Sequence, residues 1–172
     1  MINQYTDNTP YDALGYEEES IIKWLKRRST HEAHSFVVNW RRRWGPLDVY
    51  FPVLEFIVQH PETDLGTILS ILVAIDDTPM PPPEFIKGDT LDKLSEYGEI
   101  EDRYYLMILI SKNAKAGMYK NFNHPPSEAY LAMRERLIQT YTGNPDAWYA
   151  LPSALFQPIP ERLAVMASEL AE

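Results

Sequence analysis

The stretch from Leu65 to Ile75 constrains the fold of this chain more than any other. Leucine, isoleucine and valine stand at positions 65, 68, 69, 71, 72, 73 and 75, so a helix drawn through them is apolar on nearly every side. A helix of this kind lies inside a bundle, because no face of it suits water. We therefore predict that this segment, capped by Thr63 or Asp64, is the central helix of an all-α fold.

Apolar residues spaced three and four apart predict further helices along the chain. The predicted ranges are 16–28, 30–44, 51–59, 89–97, 99–116, 125–143 and a last helix from 160, with a turn or short helix over 144–154. We start the third helix near Phe51, so that Pro52 falls in the first turn, where its missing N–H is tolerated. A strand remains an alternative for residues 104–110, because that apolar run is short.

These elements predict one compact domain of about six to eight helices over residues 16–172. Residues 1–15 are polar and contain Pro10 and Gly15, so we expect a flexible N-terminal segment. The proline run at 78–83 predicts an extended connection between two groups of helices. Each group has incomplete apolar faces, and we expect the two to share one core.

Composition excludes several classes of protein. The chain has no cysteine, which excludes thiolate metal sites, disulfides and cysteine nucleophiles. The N-terminus lacks the basic and apolar regions of a signal peptide, and the apolar runs are too short to cross a bilayer. We expect a cytoplasmic protein with no membrane association.

The charge is distributed unevenly. The net charge is -9, and residues 46–172 alone carry -10. An acidic body repels phosphate backbones, so we expect no nucleic-acid binding and a preference for a basic protein partner. Lys23, 26–28 and 41–43 form a basic cluster with interleaved tryptophans, which is typical of RNA binding; the alternative is that these cations pair with the chain's own acids.

The sequence contains no recognisable catalytic or cofactor motif. His31 and His34 stand three apart, whereas the zinc-protease motif needs H-E-x-x-H. They could bind a metal with a third ligand, but the alternative is a solvated helix start. His60 and His124 precede prolines and are interpreted as turn residues. We predict no metal, no cofactor and no catalytic residues.

An acidic cluster with tyrosines is the candidate partner-binding surface. The segment from Asp89 to Asp102 contains six acidic residues and one lysine. The usual explanation is a solvated helix face, but acids beside tyrosines also suit an interface that accepts Arg and Lys. The predicted surface comprises Asp89, Asp92, Glu96, Tyr97, Glu99, Glu101, Asp102, Tyr104 and Tyr105.

Two segments resemble a known family. The residues A-H-S-F-V-V-N-W at 33–40 and P-V-L-E-F-I-V-Q-H-P-E-T-D-L-G-T-I-L at 52–69 resemble the bacterial family DUF4274, with its N-W pair, its proline and its D-L-G-T motif. The chain departs from that pattern at 41–45 and at Thr63. The matching residues are Asn39, Trp40, Pro52, Asp64, Leu65, Gly66 and Thr67.

The resemblance implies a small bacterial cytoplasmic protein similar to those found beside polymorphic toxins, with no established activity. Local chemistry predicts a structural role for the motif. Asp64 or Thr63 would cap the helix, and Gly66 would admit another backbone, which we expect under Trp40.

We expect a non-enzymatic binder, an immunity-type protein that neutralises a toxin. The alternatives are a scaffold or regulatory module, and an enzyme with an unrecognised carboxylate or histidine site.

Overall fold

The computed structural model describes residues 18–43, 47–76, 102–147 and 150–169. Within these ranges the chain is helical and forms no strand. The helices are α1 (Glu18–Leu25), α2 (Thr30–Arg43), α3 (Leu47–Gln59), α4 (Leu65–Asp76), α5 (Asp102–Lys115), α6 (Glu128–Thr142), a 3₁₀ helix (Ser153–Phe156) and α7 (Glu161–Glu169). The all-α prediction is confirmed, and residues 104–110 belong to a helix and not to a strand.

Helix α4 lies at the centre of the core, as its apolar sequence predicts. Ile68, Leu69, Ile71 and Leu72 are all 0% exposed. Helices α2, α5 and α6 pack around α4, while α3 packs between α1 and α5. The surrounding helices therefore cover the apolar sides that a surface helix would expose to water.

Helix α3 begins earlier than predicted. It starts at Leu47, and Pro52 lies inside it rather than in its first turn. An internal proline removes one backbone hydrogen bond and crowds the preceding turn. The rest of α3 buries Val53, Leu54 and Val58 completely, which offsets that loss.

Local sequence signals define several helix ends. Ser29 precedes α2, and its backbone N–H donates to the Glu32 carboxylate at 3.0 Å, as in a capping box. Gly117 follows α5 and has a φ of +72°, a left-handed conformation that glycine adopts without strain. The N–H groups of Gly117 and Met118 bond to the carbonyls of Ala114 and Asn113, which completes a Schellman motif.

Two end helices differ from the prediction. Helix α1 ends at Leu25 instead of position 28, because the N–H groups of Arg27 and Arg28 turn back to the carbonyls of residues 24 and 25. In α7, the apolar spacing after Pro160 predicts that Leu163 and Met166 both face the core; Leu163 is buried, but Met166 is 44% exposed.

Side chains from α5, from the residues after it and from Thr63 provide hydrogen bonds to the C-terminal end of α3. The Val58 carbonyl accepts hydrogen bonds from the Asn113 amide at 3.1 Å and from the Tyr119 hydroxyl at 3.0 Å. The Thr63 hydroxyl donates to the Ile57 carbonyl at 2.5 Å. Helix ends leave carbonyls without intrahelical partners, and these bonds replace the partners that α3 lacks.

Several predicted features lie outside the described residues. They are the N-terminal segment 1–15, the proline-rich connection 78–83 and the helix predicted at 89–97. Among the helices that the structure describes, none combines the length and the apolar character needed to span a bilayer.

Candidate functional site at a buried polar joint

Three parts of the chain bring polar side chains together beside the core. Helix α2 contributes two histidines, the entry of α4 contributes an acid and a threonine, and the irregular residues 118–127, which we call the crossing segment, contribute a third histidine. We call this group the polar joint. Its members are His31, His34, Asp64, Thr67 and His124.

Asp64 binds backbone amides from both sides of the joint. One carboxylate oxygen accepts from Gly66 N at 2.9 Å and from His124 N at 3.2 Å, while the other accepts from Asn123 N at 2.6 Å. The first bond caps α4, and the other two attach the crossing segment to it. Because Asp64 is only 2% exposed, its charge depends on these donors.

Gly66 allows the crossing segment to approach α4 closely. A Cβ at this position would overlap the carbonyl oxygen of His124. The sequence predicts a close backbone approach at Gly66, and the backbone that approaches is that of His124. Further along, the Ser70 hydroxyl donates to the Gly66 carbonyl at 2.8 Å and accepts from Ser127 N at 2.9 Å.

His34 is buried and hydrogen-bonded on both sides. Its Nδ1 lies 3.0 Å from the Thr67 hydroxyl, and the ring also bonds to the backbone of Pro125. Proline has no N–H, so Pro125 can only accept; because Nδ1 faces Thr67, we assign the donor to Pro125 as Nε2. Neutral His34 therefore accepts from Thr67 through Nδ1, and the prediction of a solvated helix start is wrong for this residue.

The three imidazole rings lie against one another. The His124 ring stacks on His34 with centroids 4.9 Å apart, and it lies 5.3 Å from the ring of His31. Its Nδ1 is 3.6 Å from an Asp64 oxygen, beyond hydrogen-bonding distance. The prediction that His124 is a turn residue missed this packing, because its contacts come from distant parts of the chain.

The environment shifts two pKa values in the joint. Burial, reinforced by the nearby His124, lowers the pKa of His34 to about 4, and the attraction of Asp64 opposes this only partly. For Asp64, burial acts to raise the pKa, but the interactions with His124 and with the amides of Asn123 and Gly66 outweigh it and lower the pKa. At neutral pH His34 is therefore neutral and Asp64 is charged.

The arrangement suits structural attachment better than catalysis. Three amides occupy the Asp64 carboxylate, and a hydroxyl and a carbonyl occupy the two nitrogens of His34, so neither group faces an open site. In the part of the chain that the structure describes, no set of three or more His, Cys, Asp or Glu side chains has a geometry that could hold a metal ion.

The other residues of the resemblance lie on helices α2 and α3. Asn39 is half-buried, and its amide donates to the Ser35 carbonyl one turn earlier at 2.8 Å. Trp40 belongs to α2 and Pro52 to α3. The hydrogen bonds of Asn39 are thus local, whereas those of Asp64 and Thr67 join distant segments.

Most of the predicted acidic surface lies outside the described residues. This applies to Asp89, Asp92, Glu96, Tyr97, Glu99 and Glu101. Asp102 and Tyr104 lie in the first turn of α5. Tyr105 is half-buried: its ring meets Phe51 edge-on at 5.6 Å, and its hydroxyl bonds to Glu55.

The basic cluster is described only in part. The Lys26 ammonium lies 5.9 Å from the centre of the Phe56 ring, and the Arg28 guanidinium lies 5.1 Å from that of Trp24. These cations therefore cover aromatic rings of their own chain.

Comparison of the chain with protein-family models, with curated proteins and with solved structures finds no match. The resemblance to DUF4274 therefore stays a prediction, and any function rests on the residues themselves.

Proposed function

We propose that this protein is a non-enzymatic binding module of the immunity type, which neutralises a bacterial toxin by direct contact. The observation that carries the proposal is the charge distribution. Residues 46–172 hold a net charge of -10, and six acids with one lysine lie between Asp89 and Asp102. Toxin clefts that act on nucleic acid are positive, so an acidic surface both speeds encounter and fits them.

Tyr105 supports the proposal as a candidate anchor at the edge of this surface. Its ring is held by Phe51 and its hydroxyl by Glu55. An aromatic side chain that is already fixed loses little conformational entropy when a partner covers it. Acids would then govern rate and specificity, while tyrosines would supply buried contact area.

The polar joint gives indirect support for a binder over an enzyme. Its buried carboxylate and its buried imidazole already have backbone or hydroxyl partners, and general acid–base catalysis needs groups that can reach a substrate. The enzyme alternative would have to rely on His31 and His124 at the edge of the joint. The scaffold alternative predicts binding without inhibition of the partner.

The test compares two variants of equal charge against the toxin encoded beside the gene. In the first, Glu99, Glu101 and Asp102 are changed to Lys. In the matched control, the exposed acids Glu62, Glu135 and Asp146 are changed to Lys. We expect the first variant to associate more slowly, with a weaker dependence on salt, and to protect cells poorly. The control should lose much less.

An equal loss of binding in both variants would mean that net charge alone matters. If the first variant lost no binding, this surface would not be the interface. Binding with full toxin activity would favour the scaffold alternative. Loss of protection on changing His31 and His124 to Gln, with binding intact, would favour the enzyme.

A further inference from the structure

We propose that the polar joint is an acid-operated release: protonation of the buried His34, in a cluster with two other histidines, detaches the crossing segment from α2 and α4. The proposal is independent of the identity of any partner. It rests on how the crossing segment is attached, on which charges face one another there, and on which histidine is hidden from water.

The backbone of residues 121–127 of the crossing segment is attached through polar groups of the joint and its neighbours, and the side chains of Tyr119 and Phe122 are buried in the hydrophobic core. The links are the amides of Asn123 and His124 on Asp64, the Leu65 amide on the Asn121 carbonyl at 2.7 Å, the Ser127 amide on Ser70, and the bond from His34 to Pro125. All five links involve His34 on α2, the capping residue Asp64 or the first two turns of α4. A change of charge at the joint therefore acts directly on the attachment.

The side chains that face one another at the joint include more groups that can carry a positive charge than groups that can carry a negative one. His31 and His34 come from α2, His124 from the crossing segment, and Asp64 from the entry of α4. From α7, Arg162 places its guanidinium 3.2 Å from the Phe122 carbonyl. One carboxylate can offset one imidazolium, and a second cation within about 5 Å is then repelled.

His34 decides the direction of the effect. While the crossing segment is attached, His34 is buried and neutral at pH 7. When the segment detaches, His34 meets water and its pKa returns to the ordinary value. Its pKa is about 4 in the attached state against an ordinary value of 6.5. Acid therefore favours the detached state, and we expect detachment to become on the order of tenfold more frequent between pH 7 and pH 5.

Hydrogen exchange at low urea concentrations tests the release in the full-length chain. The probes are the amides of Asn123, His124 and Ser127, with rates corrected for the intrinsic effect of pH. We expect them to exchange through an opening that depends little on urea, which identifies a local event. Amides at the contact of α3 with α5 should follow the strong urea dependence of global unfolding.

Two variants and a control locate the effect. His34→Gln keeps a donor for Pro125 and an acceptor for Thr67 but does not titrate, so the acid response should vanish. His31→Gln changes an exposed side chain and should reduce the response without disturbing the fold. His60→Gln changes the other histidine that precedes a proline, is exposed, and should behave as the parent.

Three results would overturn the proposal. The probe amides could share the urea dependence of the core, so that the segment leaves only with the whole fold. Their opening could be equally frequent at pH 7 and pH 5. If His34→Gln does not fold, an acid response in His31→Gln equal to that of the parent would count against the histidine cluster.

Discussion

The imidazole of His34 stacks on that of His124 at a centroid distance of 4.9 Å while its Nδ1 bonds to Thr67. One buried side chain thus joins α2 to both α4 and the crossing segment. Removing the Thr67 hydroxyl would leave a buried acceptor without its donor, and this leads to the first prediction.

Thr67→Val should lower the free energy of unfolding by about 1–3 kcal/mol, because the shape is kept while His34 Nδ1 loses its partner. Thr67→Ser keeps the hydroxyl and serves as the control. In a double-mutant cycle with His34→Leu, which removes the ring nitrogens, urea denaturation should give a coupling energy of at least about 0.5 kcal/mol. Additive losses would show that the two side chains do not interact.

Gly66→Ala should destabilise the fold by about 3 kcal/mol, because the new Cβ meets the His124 carbonyl, a backbone atom that cannot rotate away. Gly117→Ala is the comparison. Its new Cβ would make only an ordinary contact with the Lys120 side chain at 4.0 Å, so this variant suffers only from the φ of +72°, at about 1 kcal/mol. The midpoints of urea unfolding measure both, and a milder effect at Gly66 than at Gly117 would contradict the close approach.

The free energy of unfolding should fall in two separate pH ranges. Folding lowers the pKa of His34 from 6.5 to about 4, so the unfolded chain binds more protons between these values. Stability is then unaffected above pH 6.5 and falls by about 3 kcal/mol as the pH drops towards 4. Folding also lowers the pKa of Asp64, whose contribution is present above its ordinary value of 3.8 and lost at lower pH.

Urea unfolding at a series of pH values checks this. His34→Gln should flatten the upper range and leave the lower one. A parent protein equally stable at pH 7 and pH 4.5 would refute the assignment of a neutral, buried His34.

Tyr119→Phe and Asn113→Leu should each cost about 1 kcal/mol, because each removes one of two donors to the Val58 carbonyl. The double variant should cost more than the sum, since the carbonyl at the end of α3 then keeps no side-chain donor. Thermal or urea unfolding of the four proteins measures the difference. Simple additivity would indicate that water replaces both donors.

The helices could be predicted because their signals are local. The apolar residues of α4 and the glycine after α5 act within a few turns of the chain. Pro52 misled the prediction because helix propensity is outweighed there by the burial of Val53 and Leu54.

The polar joint could not be predicted in the same way. Thr67 and His34 meet across a sequence separation of 33, and Asp64 and Asn123 across one of 59. One signal was available: His34 stands three positions before the buried Val37, on the edge of the apolar stripe of α2. Its position relative to Val37 indicated burial, although nothing local indicated its partners.

The attachment of Asn123 to Asp64 has a consequence for how the chain folds during synthesis. Helix α4, the most buried helix described, leaves the ribosome before α5, α6 and the crossing segment have been made. The Asp64 carboxylate, which caps α4, must then remain hydrated until about sixty further residues have been synthesised. Contacts of such long range slow folding, because the intervening loop must close before they form. The core is therefore completed late, and a nascent chain that stalls before residue 123 exposes an apolar helix that chaperones can bind.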